Sequence, residues 1–172
     1  LPVDCVNGAD NSSQGIKSND LSRLLVNLTS PLPVNLTLIT DFCYAFNFLS
    51  LPYTLRRNSD GSYFWDDSAE YSGRAWNPEH KILHFTGGAK GAATTSFKST
   101  GSLFTREFYN AGVGMDLPLS QRMDTIQKGV DRFFGEYNEK RKVNLQQEIQ
   151  LYSSHKFDLS NPASLTNLLG SS

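Results

Sequence analysis

The stretch from Tyr63 to Phe108 constrains this chain more than any other. It holds both tryptophans, two of the three histidines and five of the eleven phenylalanines, and its runs are bounded by Asp60-Gly61, Gly87-Gly88, Gly91 and Gly101. Short apolar runs between glycine turns are the mark of β-strands. The runs 63–65, 81–86, 94–98 and 102–108 are therefore predicted as strands. Upstream, Tyr53 to Arg57 is predicted as a strand joined to Ser62–Asp66 through Asn58-Ser59-Asp60-Gly61, a hairpin with an Asp-Gly turn.

The segments on either side carry helical periods. Leu21, Leu24, Leu25 and Leu28 follow a capping run at Ser18-Asn19-Asp20 and form the stripe of an amphipathic helix, which Pro31-Leu32-Pro33 ends. Leu36, Ile39, Cys43 and Phe46 repeat the same spacing and predict a second, largely buried helix. The clearest helix covers 119–142, with Met123, Ile126, Val130, Phe133 or Phe134, and Tyr137 on one face. Gly129 and Gly135 weaken it by up to about 1 kcal/mol each, so they are read as points of close approach to the sheet. Beyond it, Val143, Leu145, Ile149 and Leu151 alternate in a way that suits a late strand, which competes with continuation of the helix.

A chain of 172 residues suits a single domain, spanning 1–172. Its expected parts are an extended arm (1–17), a helical region (18–50), the sheet (53–109), the long helix (119–142) and a C-terminal strand or tail (143–172). The expected class is α+β: two N-terminal helices, an antiparallel sheet of about five or six strands, and a long C-terminal helix packed on the sheet. That order resembles a helix-grip arrangement, a likeness of architecture that implies no activity.

A net charge of −1 gives no broad electropositive field, which argues against general nucleic-acid binding. No apolar run approaches the roughly 20 residues a transmembrane helix needs, so a soluble protein is expected. Asn11, Asn27 and Asn35 each begin an N-glycosylation acceptor triplet. Cys5 and Cys43, the only two cysteines, suffice for one disulfide. The start at Leu1 rather than Met fits a chain that has lost a signal peptide. Together these features predict a secreted glycoprotein.

For chemistry, His84 stands out, because a histidine at a strand end before a glycine turn can act as a general base. Glu70, Glu79 or Asp67 could orient it, and Glu70 and Arg74 are the candidate catalytic partners. The run around His84 is similar over about four residues to the histidine segment of small guanyl-preferring secreted ribonucleases, and that resemblance implies histidine, glutamate and arginine acting together on RNA. His80 and His84 on one strand lie roughly 13 Å apart, too far to chelate, so no metal or other cofactor is expected. The Gly87–Gly91 run lacks the spacing of a phosphate loop. The aromatic surplus predicts a binding surface involving Trp65, Trp76, Phe85, Phe104 and Tyr109, for a protein partner or a small apolar ligand. Binding without catalysis is the leading expectation; a small hydrolase and a structural or coat-type assembly protein are the alternatives.

Overall fold

The computed structural model describes residues 18–29, 32–42, 45–73, 76–88, 96–97, 101–111 and 117–160, with the side chains of residues 18, 19, 28, 29, 96 and 97 excepted. Cys5, Cys43, Asn11 and Arg74 lie outside the described residues, and the expected disulfide and arm with them. The chain divides into two units, 1–32 and 33–172.

The first unit contributes helix α1 (Ser18–Thr29), with Asp20 in its first turn, where a carboxylate favours the positive end of the helix dipole. Asn27 is exposed on it.

The second unit is built on five strands, β1 (Asn35–Thr40), β2 (Tyr53–Arg57), β3 (Tyr63–Asp67), β4 (Lys81–Thr86) and β7 (Gln150–Ser153), in the order β1-β4-β7-β2-β3. A separate two-stranded piece pairs β5 (Ser96–Phe97) with β6 (Gly101–Ser102). Helices α2 (Leu103–Asn110) and α3 (Leu119–Arg141) complete the unit. The α+β class, the five-stranded sheet and the long C-terminal helix agree with the sequence reading.

Three expectations are corrected. The second N-terminal helix is strand β1, which pairs in parallel with β4 from Asn35 opposite Lys81 to Thr40 opposite Thr86. Its Thr37, Ile39 and Thr40 are β-branched and suit the pleat, and the long-range partner outweighs the local helical spacing. The sheet is consequently mixed rather than antiparallel throughout. The predicted strand at 102–108 is α2, in which Leu103, Phe104 and Phe108 are buried.

One face of the sheet carries the main core. Leu55, Leu83, Phe85 and Leu151 meet Leu103, Phe104 and Phe108 of α2 and Met123, Ile126, Val130 and Phe134 of α3. Each such side chain stabilises the fold by about 1.5–3 kcal/mol through burial. The helices approach closely because Gly129 has no side chain; a Cβ there would overlap the Glu107 carboxylate. So Gly129 marks contact between helices rather than with the sheet. Arg106 pairs with Glu107 at 2.9 Å and lies 5.4 Å from the Phe133 ring centre.

The opposite face is also covered. By strand alternation Ile82 and His84 point away from the helices, and both are fully buried. Residues 45–51 form this second layer, with Ala45, Leu49 and Leu51 fully buried and Phe48 edge-on to His84 at 5.0 Å. Asn47 shapes the layer: its amide donates to the Leu51 carbonyl and its oxygen accepts the Leu51 N–H, each at 2.8 Å.

At the far end of β4, three elements are joined. Gly87 N–H donates to the Thr40 carbonyl at 3.1 Å, and Gln147 donates to the Gly87 carbonyl at 2.7 Å. Asp41, just after β1, accepts the Thr105 N–H at 2.9 Å and the Thr105 hydroxyl. Ser102 makes no side-chain cap, so Asp41 caps α2 from a distant part of the chain. A Cβ on Gly87 would come within 2.9 Å of Phe104 and 3.0 Å of Asp41 Oδ1.

After α3, Lys142 adopts a left-handed conformation and ends the helix. Asn138 holds the Leu145 amide and carbonyl, and Gln127 holds the Gln147 carbonyl and the Ile149 N–H, so residues 143–149 run tethered beside α3 until β7 begins. In this way β7 reaches the middle of the sheet.

Gly87→Ala is expected to cost about 1–3 kcal/mol by overpacking, and Asp41→Ala about 1 kcal/mol by loss of the cap. Because both act at one junction, the double variant should lose less than the sum. Denaturant unfolding measures all three, and strict additivity would contradict the shared junction.

Candidate functional site

The antiparallel pairing of β2 with β7 sets Tyr53 opposite Ser153, so the start of β2 and the residues after β7 emerge at one end of the sheet. Ser154 binds there to the neighbouring strand: its hydroxyl accepts the Ile82 N–H at 2.8 Å and donates to the His80 carbonyl at 3.0 Å. The connection from β3 to β4 arrives at the same end. Trp76 anchors it by donating its indole N–H to the Leu49 carbonyl at 3.0 Å. Ser50, with a left-handed backbone at φ 54°, pairs its hydroxyl with that of Ser72 at 2.7 Å and accepts the Ser72 N–H.

The result is a cleft of about 420 Å³ lined by Pro52, Tyr53, Tyr71, Trp76, Asn77, Pro78 and Ser154–Lys156. Its size suits a small ligand. Lys156 Nζ sits 4.8 Å from the Tyr53 ring centre and 3.3 Å from Asp67, which pairs opposite Tyr53 across the hairpin. His155 places its Nδ1 2.8 Å from the Ser154 hydroxyl. Apolar ring surface and a few fixed polar groups thus share one opening. A comparable groove beside α3, lined by Gln127, Asp131, Asn138 and Gln147, is different, because several of its amides already hold residues 145–149.

The sequence-predicted residues are dispersed. Of the aromatic set, only Trp76 lines the cleft. Phe85 and Phe104 are corrected to core residues, each 1% exposed, because they fill the sheet–helix interface. Trp65 packs against the helix-side core and donates to the Phe157 carbonyl at 2.8 Å. Tyr109 stands on the outer side of α2, 75% exposed. Tyr53 and Tyr71 belong to the aromatic surplus but sit in separate segments, and His155 and Lys156 follow a short strand with no motif to flag them.

His84 has no exposed surface. It lies between Phe48 and Tyr152, whose ring centres are 5.0 and 6.0 Å away, with Nε2 2.8 Å from Thr40 Oγ1. The Thr40 hydroxyl also lies 3.5 Å from the Phe85 carbonyl, and Nδ1 of His84 has no hydrogen-bond partner among the described residues. A general base must reach its substrate, and this ring faces the buried layer instead. Glu70 accepts from the Ser68 hydroxyl at 3.1 Å, and its charge, after burial, helps push the Tyr152 phenol upward. Among the described residues no group of three metal-ligating side chains comes together. No described helix is long and apolar enough to cross a membrane.

No protein-family model matches the chain, and no curated protein compared with it does.

Burial pulls the His84 imidazole from 6.5 down to about 3. Between those values the unfolded chain takes up a proton that the folded ring refuses, so the contribution of His84 to stability is full above pH 6.5 and is lost as pH drops toward 3. The expected slope from this group is about 1.4 kcal/mol per pH unit. Denaturant unfolding at pH 7, 6, 5 and 4 should show that slope in the native chain and its loss in His84→Leu; parallel profiles would contradict the burial of a neutral ring.

Proposed function

We propose that this chain is a secreted, N-glycosylated binding protein whose cleft at Tyr53, Tyr71 and Trp76 takes a small amphipathic ligand. The observation that carries the reading is the convergence of these rings with Asn77, His155 and Lys156 in one open pocket whose walls are held by bonds from Trp76 and Ser154 to neighbouring backbone. Such a site meets its ligand with little ordering cost, since the anchoring residues are already fixed. The mixture of ring surface and polar groups favours an amphipathic ligand over the wholly apolar one expected from the aromatic count.

The extracellular part of the proposal rests on the acceptor triplets at Asn27 and Asn35, both exposed, and on the cysteine pair. A glycan on the exposed Asn27 of α1 or Asn35 of β1 would extend into water without displacing core.

One set of material tests both parts. Protein produced through a secretory pathway should lose mass on enzymatic deglycosylation, and a panel of aromatic and heterocyclic fragments should shift backbone resonances at residues 71, 76–77 and 154–156. Tyr71→Ala should weaken those fragments about tenfold, equivalent to about 1.4 kcal/mol. A bare-chain mass would remove the glycoprotein assignment. Shifts gathered elsewhere, unaffected by Tyr71→Ala, would remove the cleft.

A further inference from the structure

The groups lining the cleft are biased in a way that specifies a ligand, provided the cleft is the binding site proposed above. Among its described lining residues the basic side chains are His155 and Lys156, and none is acidic. Asp67, the partner of Lys156 at 3.3 Å, has an 85% exposed side chain outside the lining. An ion pair so wet is weak, and its cation can be shared with an incoming anion. The Asn77 carbamoyl oxygen already accepts the Glu79 N–H at 3.0 Å, and its NH2 remains as a donor to a ligand. The cleft therefore offers donors and positive charge around a patch of ring and proline surface.

Two ligand classes fit this poorly. A wholly apolar molecule would strip water from Asn77 and Lys156 and return no bond, a cost of the kind that buried polar groups exact. An extended peptide presents N–H donors as well as C=O groups along one edge, and the described lining side chains include no carboxylate to receive those donors. A sugar ring with a carboxylate suits better. Its C–H face can lie on aromatic surface, while its oxygens and its negative charge accept from the surrounding donors.

We propose that the cleft binds a short acidic oligosaccharide, with one ring stacked on Tyr71 and Trp76 and its carboxylate directed to Lys156. Tyr71 is 45% exposed and the Lys156 side chain 50% exposed, so both can be replaced without opening the core.

The test is calorimetric titration of the full chain, at low ionic strength, with a tetrasaccharide of alternating glucuronic acid and N-acetylglucosamine and with its carboxyl-reduced counterpart. The acidic form should bind at least tenfold more tightly. Lys156→Met should lower affinity for the acidic form by a similar factor and leave the reduced form unchanged, whereas Tyr71→Ala should weaken both. Equal affinity for the two saccharides, indifference of the acidic form to Lys156→Met, or no binding of either at millimolar concentration would overturn the assignment. If fragments still gather in the cleft, only the ligand class falls; if they do not, the cleft reading falls with it.

Discussion

Burial of β4 on both faces is the constraint on which the rest of the second unit depends. Every residue of the strand after Lys81 is buried, so it needs one layer over Leu83 and Phe85 and another over Ile82 and His84. The helices supply the first and residues 45–51 the second. Parallel pairing with β1 and antiparallel pairing with β7 satisfy its backbone on both sides. A strand of this kind tolerates a histidine only in its neutral form, which is why Thr40 and the rings of Phe48 and Tyr152 surround His84.

The two ends of β4 then serve different purposes. At its C-terminal end, Gly87 allows the β1–β4 pair to meet the start of α2, and Asp41 caps that helix. At its N-terminal end, Ser154 binds the backbone at Ile82 and His80, which draws the segment after β7 alongside. Trp76 links the cleft wall to Leu49, itself part of the buried second layer. The cleft is thus an extension of the core packing, and its ring positions follow from it.

How far the sequence reveals this depends on how local each cause is. The β2–β3 hairpin was legible because Asp60 and Gly61 form its turn, with Asp60 accepting from the Ser62 N–H at 2.8 Å. Strand β4 was legible because Gly87 and Gly88 close a short apolar run, and α3 because Met123, Ile126, Val130 and Phe134 repeat over many turns. Strand β1 was not, since Leu36, Ile39 and Phe46 fit a helical period and its pairing partner lies more than forty residues away at Lys81–Thr86. Residues 103–108 follow the turn residue Gly101 as a short aromatic run, which reads as a strand, and the Asp41 cap that favours a helix comes from 64 residues upstream. The cleft draws on three separate segments, so Trp76 was visible as an aromatic while its union with Tyr53, Tyr71 and Lys156 was not.

Native-state hydrogen exchange tests the central claim, that the layer at 45–51 is part of the core around β4, most directly. The Leu51 N–H, bonded to Asn47 Oδ1 at 2.8 Å, should exchange with the same free energy and the same denaturant dependence as the amide of Phe85, because both are released only when the sheet unfolds. Fast exchange at Leu51 through a local opening insensitive to denaturant, with Phe85 still protected, would show that residues 45–51 are a detachable loop and would contradict the account.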